Sequence, residues 1–205
     1  FAIAAIIGDA APPALPIFGM VQYDNGANTP MSNTMVMLYE QQNVVAQTTT
    51  DGGGIFDFGA IAPGSYTIRA MTNKMWGGVN ATDALAIARS FTGAAPLAGI
   101  RFDAADVNAS ETVNATDALQ VARRFTNQIN SFALGDWVFK ADGFSHTSTQ
   151  PSMVNVKALA VGDVNGSYVP GNFRRLPLVS VQEEETVQVS DAGIWITAQV
   201  MQAIE

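Results

Sequence analysis

The sequence predicts a mainly β protein with a small α insertion, built from antiparallel β-sandwich segments plus a two-helix pair. Three observations carry this reading. Short apolar runs alternate with Gly, Pro, Asp and Asn turn signals over residues 18–71 and again after residue 136. Residues 79–127 hold an internal repeat at an offset of 34 positions, and each copy ends in a helical pattern. Two short oxygen-rich phrases each occur twice. Val79-Asn80-Ala81-Thr82-Asp83-Ala84-Leu85 returns as Val113-Asn114-Ala115-Thr116-Asp117-Ala118-Leu119, and Asp106-Val107-Asn108-Ala109-Ser110 returns as Asp163-Val164-Asn165-Gly166-Ser167.

Element by element, residues 1–17 read as an apolar N-terminal strand, Phe1-Ala2-Ile3-Ala4-Ala5-Ile6-Ile7, on a tether carrying Pro12, Pro13 and Pro16. Residues 18–72 read as a β-sandwich. Met20-Val21-Gln22-Tyr23 runs into the turn Asp24-Asn25-Gly26, and Thr34-Met35-Val36-Met37-Leu38-Tyr39 is followed by a polar stretch. Val44 to Thr50 meets the turn at Asp51-Gly52-Gly53-Gly54. Ile55-Phe56-Asp57-Phe58 and Ser65-Tyr66-Thr67-Ile68 flank Ala62-Pro63-Gly64. Residues 73–135 hold the helical repeat pair. Leu85, Ile87, Ala88 and Phe91 match Leu119, Val121, Ala122 and Phe125, which predicts two equivalent helices burying Leu and Phe against one another about a pseudo-twofold axis. Residues 136–205 form a C-terminal β segment with candidate strands at Asp136-Trp137-Val138-Phe139, Met153 to Leu159 and Val187-Gln188-Val189. The run from Ile194 to Met201 fits strand or helix, and Glu183-Glu184-Glu185 fits a solvated turn or edge.

Composition narrows the class. The chain has 205 residues, enough to bury a sizeable core. It is 48 % apolar and only 14 % charged, a balance ordinary for an extracellular β-rich protein and low for a cytosolic enzyme. A net charge of −8 argues against nucleic-acid partners, since phosphate contacts need Lys and Arg. It also fits a chain that carries divalent cations. Without cysteine there is no disulfide, thiolate metal site or Cys nucleophile. Residues 1–7 are too few to span a bilayer. The chain opens on Phe1, and the expectation is a processed, secreted or cell-surface protein.

The middle copies of the two phrases run together as one loop that opens a helix. A hard cation such as calcium takes oxygen ligands at alternate positions and a carboxylate at position 12. Asp106, Asn108 and Ser110 stand at positions 1, 3 and 5. Thr112 at 7 offers its carbonyl, Asn114 stands at 9, directly or through water, and Asp117 stands at 12. The competing reading is an Asx-rich turn in which Asn114 or Asp117 caps the helix. The first repeat fails as a continuous loop, because counting back from Asp83 puts Thr72, Lys74 and Trp76 at positions 1, 3 and 5, and a lysine there repels a cation. Asp163, Asn165 and Ser167 supply the missing half, but their own twelfth position is Arg174. The expectation is a second, split site made of Asp163, Asn165 and Ser167 with Asn80 and Asp83. The alternative is that both halves serve only as turns.

With Ala118-Leu119-Gln120-Val121-Ala122-Arg123-Arg124-Phe125 behind it, the loop resembles the type I dockerin repeat, a calcium loop and one helix used twice. The resemblance covers residues 79–127. It implies Ca2+ as cofactor and a cohesin-like protein as partner in an extracellular assembly. Two departures weaken the pattern: Ser110 replaces the usual acid at position 5, and Glu111 stands at position 6, where glycine makes the EF-hand turn. Phe18-Gly19-Met20-Val21, Thr50 to Phe58 and Pro63-Gly64-Ser65-Tyr66-Thr67-Ile68 resemble the prealbumin-like or carboxypeptidase-regulatory-like β-sandwich of surface proteins. That family implies a spacer or adhesive unit.

Other signals carry less. Asn80, Asn108, Asn114 and Asn165 each begin an N-x-Ser/Thr sequon, coincident with the loops. His146, the one histidine, reads as a surface-loop residue, Trp76, Trp137 and Trp195 as core, and Arg174-Arg175 as a salt-bridge donor. No phosphate loop, nucleophile elbow or glycosidase dyad stands out, so the expectation is not an enzyme. Two functions remain. The first is a structural subunit of an extracellular filament or surface assembly, self-associating by inserting residues 1–7 (Phe1, Ile3 and Ile7 on one face) into a neighbour. The second is a dockerin-type adaptor on a cohesin-bearing scaffold.

Overall fold

The computed structural model describes residues 11–141 and 143–171, together with the backbone of 185–190 and 193–198. Expectations about residues 1–7, the pair Arg174-Arg175, the acids Glu183 and Glu184 and the Trp195 side chain lie outside these residues.

The strands form two four-stranded sheets. The first runs β4 (Ile55–Ile61), β1 (Leu15–Tyr23), β8 (Ser152–Ala160), β6 (Trp137–Lys140); the second runs β3 (Asn43–Thr49), β2 (Met35–Glu40), β5 (Gly64–Met71), β7 (Phe144–His146). Burial alternates along β1, where Ile17, Gly19, Val21 and Tyr23 face inward. The strand begins earlier than its apolar run alone implies. Leu15 and Pro16, read as tether, already pair with β4 and Ile17 with β8, and a register shift against β4 between Pro16 and Phe18 accommodates the residue that lacks an N–H. One pairing departs from the antiparallel expectation: β1 and β8 run parallel, from Ile17 opposite Ser152 to Tyr23 opposite Ala158. The sandwich is therefore completed by strands from beyond residue 136, and the helical repeat is inserted between β5 and β6.

The insertion contains α1 (Ala81–Phe91), α2 (Ile100–Ala105) and α3 (Ala115–Phe125). The burial sequence of α1 repeats residue for residue in α3, as expected of helices packed on each other through one shared stripe. That stripe holds Ile87 and Val121, both fully buried. The predicted burial of Leu85, Phe91, Leu119 and Phe125 does not occur, since these four are 48–56 % exposed. Leu85 and Leu119, two residues before Ile87 and Val121, point to the far side of their helices, and Phe91 and Phe125 are the last residues of theirs, at the end of the shared stripe.

Two apolar cores result. One lies between the sheets around Tyr23, Val36, Leu38, Phe56 and Val156; the other gathers Ile87, Val107, Val121, Phe132, Val161 and Val164 beneath the helices. Trp76 and Val138 pack against both. Trp76 Nε1 donates to the Val161 carbonyl at 2.9 Å, while the Arg124 guanidinium stacks over the Trp76 ring at 4.1 Å. His146 is not a surface-loop residue. It is 2 % exposed in β7, with Nδ1 2.7 Å from Ser152 Oγ and Nε2 3.1 Å and 3.2 Å from the Leu15 and Ile61 carbonyls. Three partners from the other sheet make it a rivet across the sandwich. In a separate C-terminal unit, β9 (Glu185–Ser190) and β10 (Gly193–Ala198) form an antiparallel hairpin, so the ambiguous run is strand from Ile194 to Ala198, and its last three residues lie outside the described ones.

Candidate metal centre

Each repeat helix starts with the same reciprocal cap. Asn114 Oδ1 accepts from Thr116 N–H at 2.7 Å, and Asp117 Oδ2 accepts from Asn114 N–H at 2.9 Å. Asn80 Oδ1 accepts from Thr82 N–H at 2.8 Å, and Asp83 Oδ2 accepts from Asn80 N–H at 2.9 Å. Asn114 thus caps its helix, as one reading of the sequence held, and Asn80 does the same at the first. The caps leave the second oxygen of each Asp for other work.

In the continuous loop, Asp106 Oδ1 accepts from Ser110 N–H at 2.9 Å, and Asp106 Oδ2 accepts from Glu111 N–H at 2.7 Å. Asn108 Oδ1 accepts from Ser110 N–H at 3.0 Å, and Ser110 Oγ donates to the Thr112 carbonyl at 3.1 Å. Residues 163–168 reproduce this pattern bond for bond. Asp163 Oδ1 accepts from Ser167 N–H at 3.0 Å, and its Oδ2 accepts from Tyr168 N–H at 3.0 Å. Asn165 Oδ1 accepts from Ser167 N–H at 2.8 Å, and Ser167 Oγ donates at 3.1 Å to a carbonyl. That carbonyl belongs to Gly78, two residues before Asn80, as Thr112 stands two before Asn114. The Asn165 N–H then closes the ring on Asp83 Oδ1 at 3.0 Å. The structure therefore brings Asp163, Asn165 and Ser167 together with Asn80 and Asp83, just as it holds Asp106, Asn108, Ser110, Thr112, Asn114 and Asp117 together.

Sequence reasoning missed Gly78, although the 34-residue offset from Thr112 points at it. Gly78 has φ +92°, and a Cβ there would lie 2.6 Å from Asp163 Oδ2, so a side chain is excluded by both conformation and space. Lys74, at the rejected ligand position, instead sends Nζ to Ser32 Oγ and the Gly171 carbonyl.

The electrostatics identify what these rings suit. Asp83, Asp117 and Asp163 are fully buried and Asp106 is 8 % exposed, and no Lys or Arg among the described ion pairs reaches any of them. Burial lifts Asp83 to about 6, against the pull of the Asn165 and Asn80 amides, and the nearby Asp163 carboxylate pushes the same way. Burial likewise raises Asp117, with Asp106 adding to the rise. Asp117 Oδ1 is buried without a hydrogen bond of good geometry, although the Asn108 amide lies near enough to favour its ionised form. Two buried carboxylates facing one another are costly unless a cation joins them. The other oxygens are neutral hydroxyl, amide and carbonyl groups. No cluster of three His, Cys, Asp or Glu suited to a metal occurs among the described residues, so each ring offers two acids only. All the donors are hard oxygens, and a charge of −2 suits a divalent ion such as Ca2+.

Residues 77–126 match the dockerin type I domain. The dockerin match contains the continuous loop, both repeat helices and the Gly78–Asp83 half of the split ring. Residues 163–168 fall outside it. Residues 15–88 match the second β-sandwich domain of the NOMO1-like BOS complex subunit, in accord with the prealbumin-like reading of those strands. No curated protein matches the chain. None of the described helices is long and apolar enough to cross a membrane.

Proposed function

We propose that the chain is a non-enzymatic, calcium-stabilised structural module of an extracellular or cell-surface assembly. Two calcium ions hold its dockerin-like helices in place. Asp106, Asn108, Ser110, the Thr112 carbonyl and Asp117 hold one ion, with Asn114 acting as cap or through water. Asp163, Asn165, Ser167, the Gly78 carbonyl and Asp83 hold the other, with Asn80 in the place of Asn114. The observation that carries this reading is the pair of buried, mutually repelling carboxylates in each ring, with the same hydrogen bonds around both. The second ion ties residues beyond β8 to the start of α1, so it joins sandwich to helices rather than ordering a free-standing dockerin. Self-association through residues 1–7 extends the proposal to a filament, and the uncharged edge strand β3 offers an inserted strand a partner.

Calcium titration of the chelated protein tests the sites. The wild type takes up two equivalents. Asp163→Ala and Asp83→Ala each abolish the same one, and Asp117→Ala abolishes the other. Loss of different equivalents from Asp163→Ala and Asp83→Ala sinks the split site. Negative-stain microscopy with and without chelator tests the assembly, because fibres that fray on chelation support it and discrete particles in both conditions overturn it.

A second reading rests on the half-exposed Leu85, Phe91, Leu119 and Phe125. A dockerin-type adaptor presents such a face to a cohesin-like partner, and retention of the chain on an immobilised cohesin in calcium, but not in chelator, favours it.

A further inference from the structure

The two rings share most of their hydrogen bonds, but the aspartates that open them differ at one oxygen. Asp106 Oδ2 accepts from a backbone amide, Glu111 N–H. Asp163 Oδ2 accepts from the corresponding amide, Tyr168 N–H, and also from the Tyr23 hydroxyl at 2.5 Å. Tyr23 is the last residue of β1 and is fully buried. Its oxygen also accepts from the Ala160 N–H, at the end of β8, at 3.2 Å. Its ring stands edge-on to Trp137 at 6.0 Å and to Tyr168 at 5.9 Å, so the hydroxyl has no freedom to swing away. Neighbouring contacts fix the loop on the same turn. Asn25 Nδ2 donates to the Tyr168 carbonyl at 3.0 Å, and Gly166 passes so close that a Cβ would lie 2.4 Å from the Asp24 carbonyl.

We infer that Tyr23 is a positioning residue for the split calcium ring, which it couples to the two central strands of the first sheet. The hydroxyl fixes the rotation of the Asp163 carboxylate before the cation arrives, leaving Oδ1 to face the ring with Ser167 Oγ 3.3 Å away. Pre-organisation of this kind raises affinity at one site only. By reciprocity, an ion on Asp163 holds Tyr23, and with it the junction of β1 and β8. The continuous ring makes no such bond to the sandwich among the described residues and serves as an internal control.

The inference rests on the split-site reading, and one set of titrations separates the two. The whole chain is freed of metal and titrated with calcium as wild type, Tyr23→Phe, Asp83→Asn and Asp117→Asn. The two Asp variants assign each equivalent to its ring. Tyr23→Phe keeps the buried ring and removes only the hydroxyl. The expected result is that the equivalent lost in Asp83→Asn binds about tenfold more weakly in Tyr23→Phe, the scale of one hydrogen bond to a charged group. The equivalent lost in Asp117→Asn stays unchanged. Superimposable isotherms, or equal weakening of both sites, overturn the role of Tyr23 and leave the split site standing. A wild type that binds a single equivalent, abolished by Asp117→Asn, overturns both. Should Tyr23→Phe fail to fold, amide exchange of the unmodified protein decides. Calcium slows exchange at Ala160 if the coupling exists, and unchanged exchange there at saturating calcium overturns it.

Discussion

At the scale of single residues, position 6 shows how the two rings differ. Glu111 adopts φ +63°, the left-handed conformation that glycine supplies in the EF-hand pattern. The continuous loop must double back there to bring the Thr112 carbonyl into the ring. Tyr168, at the same place in the split ring, is not among the positive-φ residues, because its chain can leave and Gly78 brings the carbonyl from elsewhere. Glu111 therefore bears a strain that its counterpart avoids. Glu111→Gly should stabilise the metal-free protein by about 0.5–1 kcal/mol, the left-handed penalty less the entropy of glycine. Denaturant unfolding in chelator checks this, and a destabilised variant means the Glu111 side chain contributes something beyond the turn. The glutamate at position 6 was plain in the sequence. Its consequence depended on where the carbonyl at position 7 comes from, which only the folded chain decides.

At the scale of elements, α1 and α3 were legible from their 34-residue repeat, their Asn-x-x-Asp starts and their common length. Which stripe they bury was not. Leu85 and Phe91 are larger than the alanines between them and fit an apolar face equally well on paper, yet Ile87 and Val121 meet at the interface. Ile87→Ala should cost about 2–5 kcal/mol, as expected for a fully buried aliphatic side chain, and Leu85→Ala less than about 1 kcal/mol. Thermal unfolding of the calcium-loaded protein separates the two. Equal losses mean the helices pack through a different face.

At the scale of the whole molecule, the sandwich and the helical pair fold as one unit, with Trp76 and Val138 shared between their cores and the split ring between their ends. Metal should therefore stabilise both parts together. At a calcium concentration a hundredfold above Kd, each site adds about 2.7 kcal/mol, which corresponds to roughly 5–10 °C in Tm for a domain of this size. Chelation followed by calorimetry should lower one cooperative transition by about that amount per site. A sandwich transition that ignores calcium while only the helical content melts would mean the split ring does not bind the two together.

The sequence by itself marked most of the strands, both repeat helices and most residues of the proposed rings, but not α2 or β7. Turn punctuation and alternation mark the strands, and the repeated phrases mark Asp106 to Asp117 as one ring and Asp83 and Asp163 as halves of another. These features are local, set by backbone conformation and by ligand spacing along a few residues. Tertiary structure alone decided that β8 lies parallel to β1, that β6 to β8 close the sandwich, that His146 is buried between the sheets, and that Gly78 and Tyr23 stand beside Asp163. Each of those contacts joins residues far apart in sequence. Their register is chosen by the packing of whole sheets and helices, which no local pattern encodes.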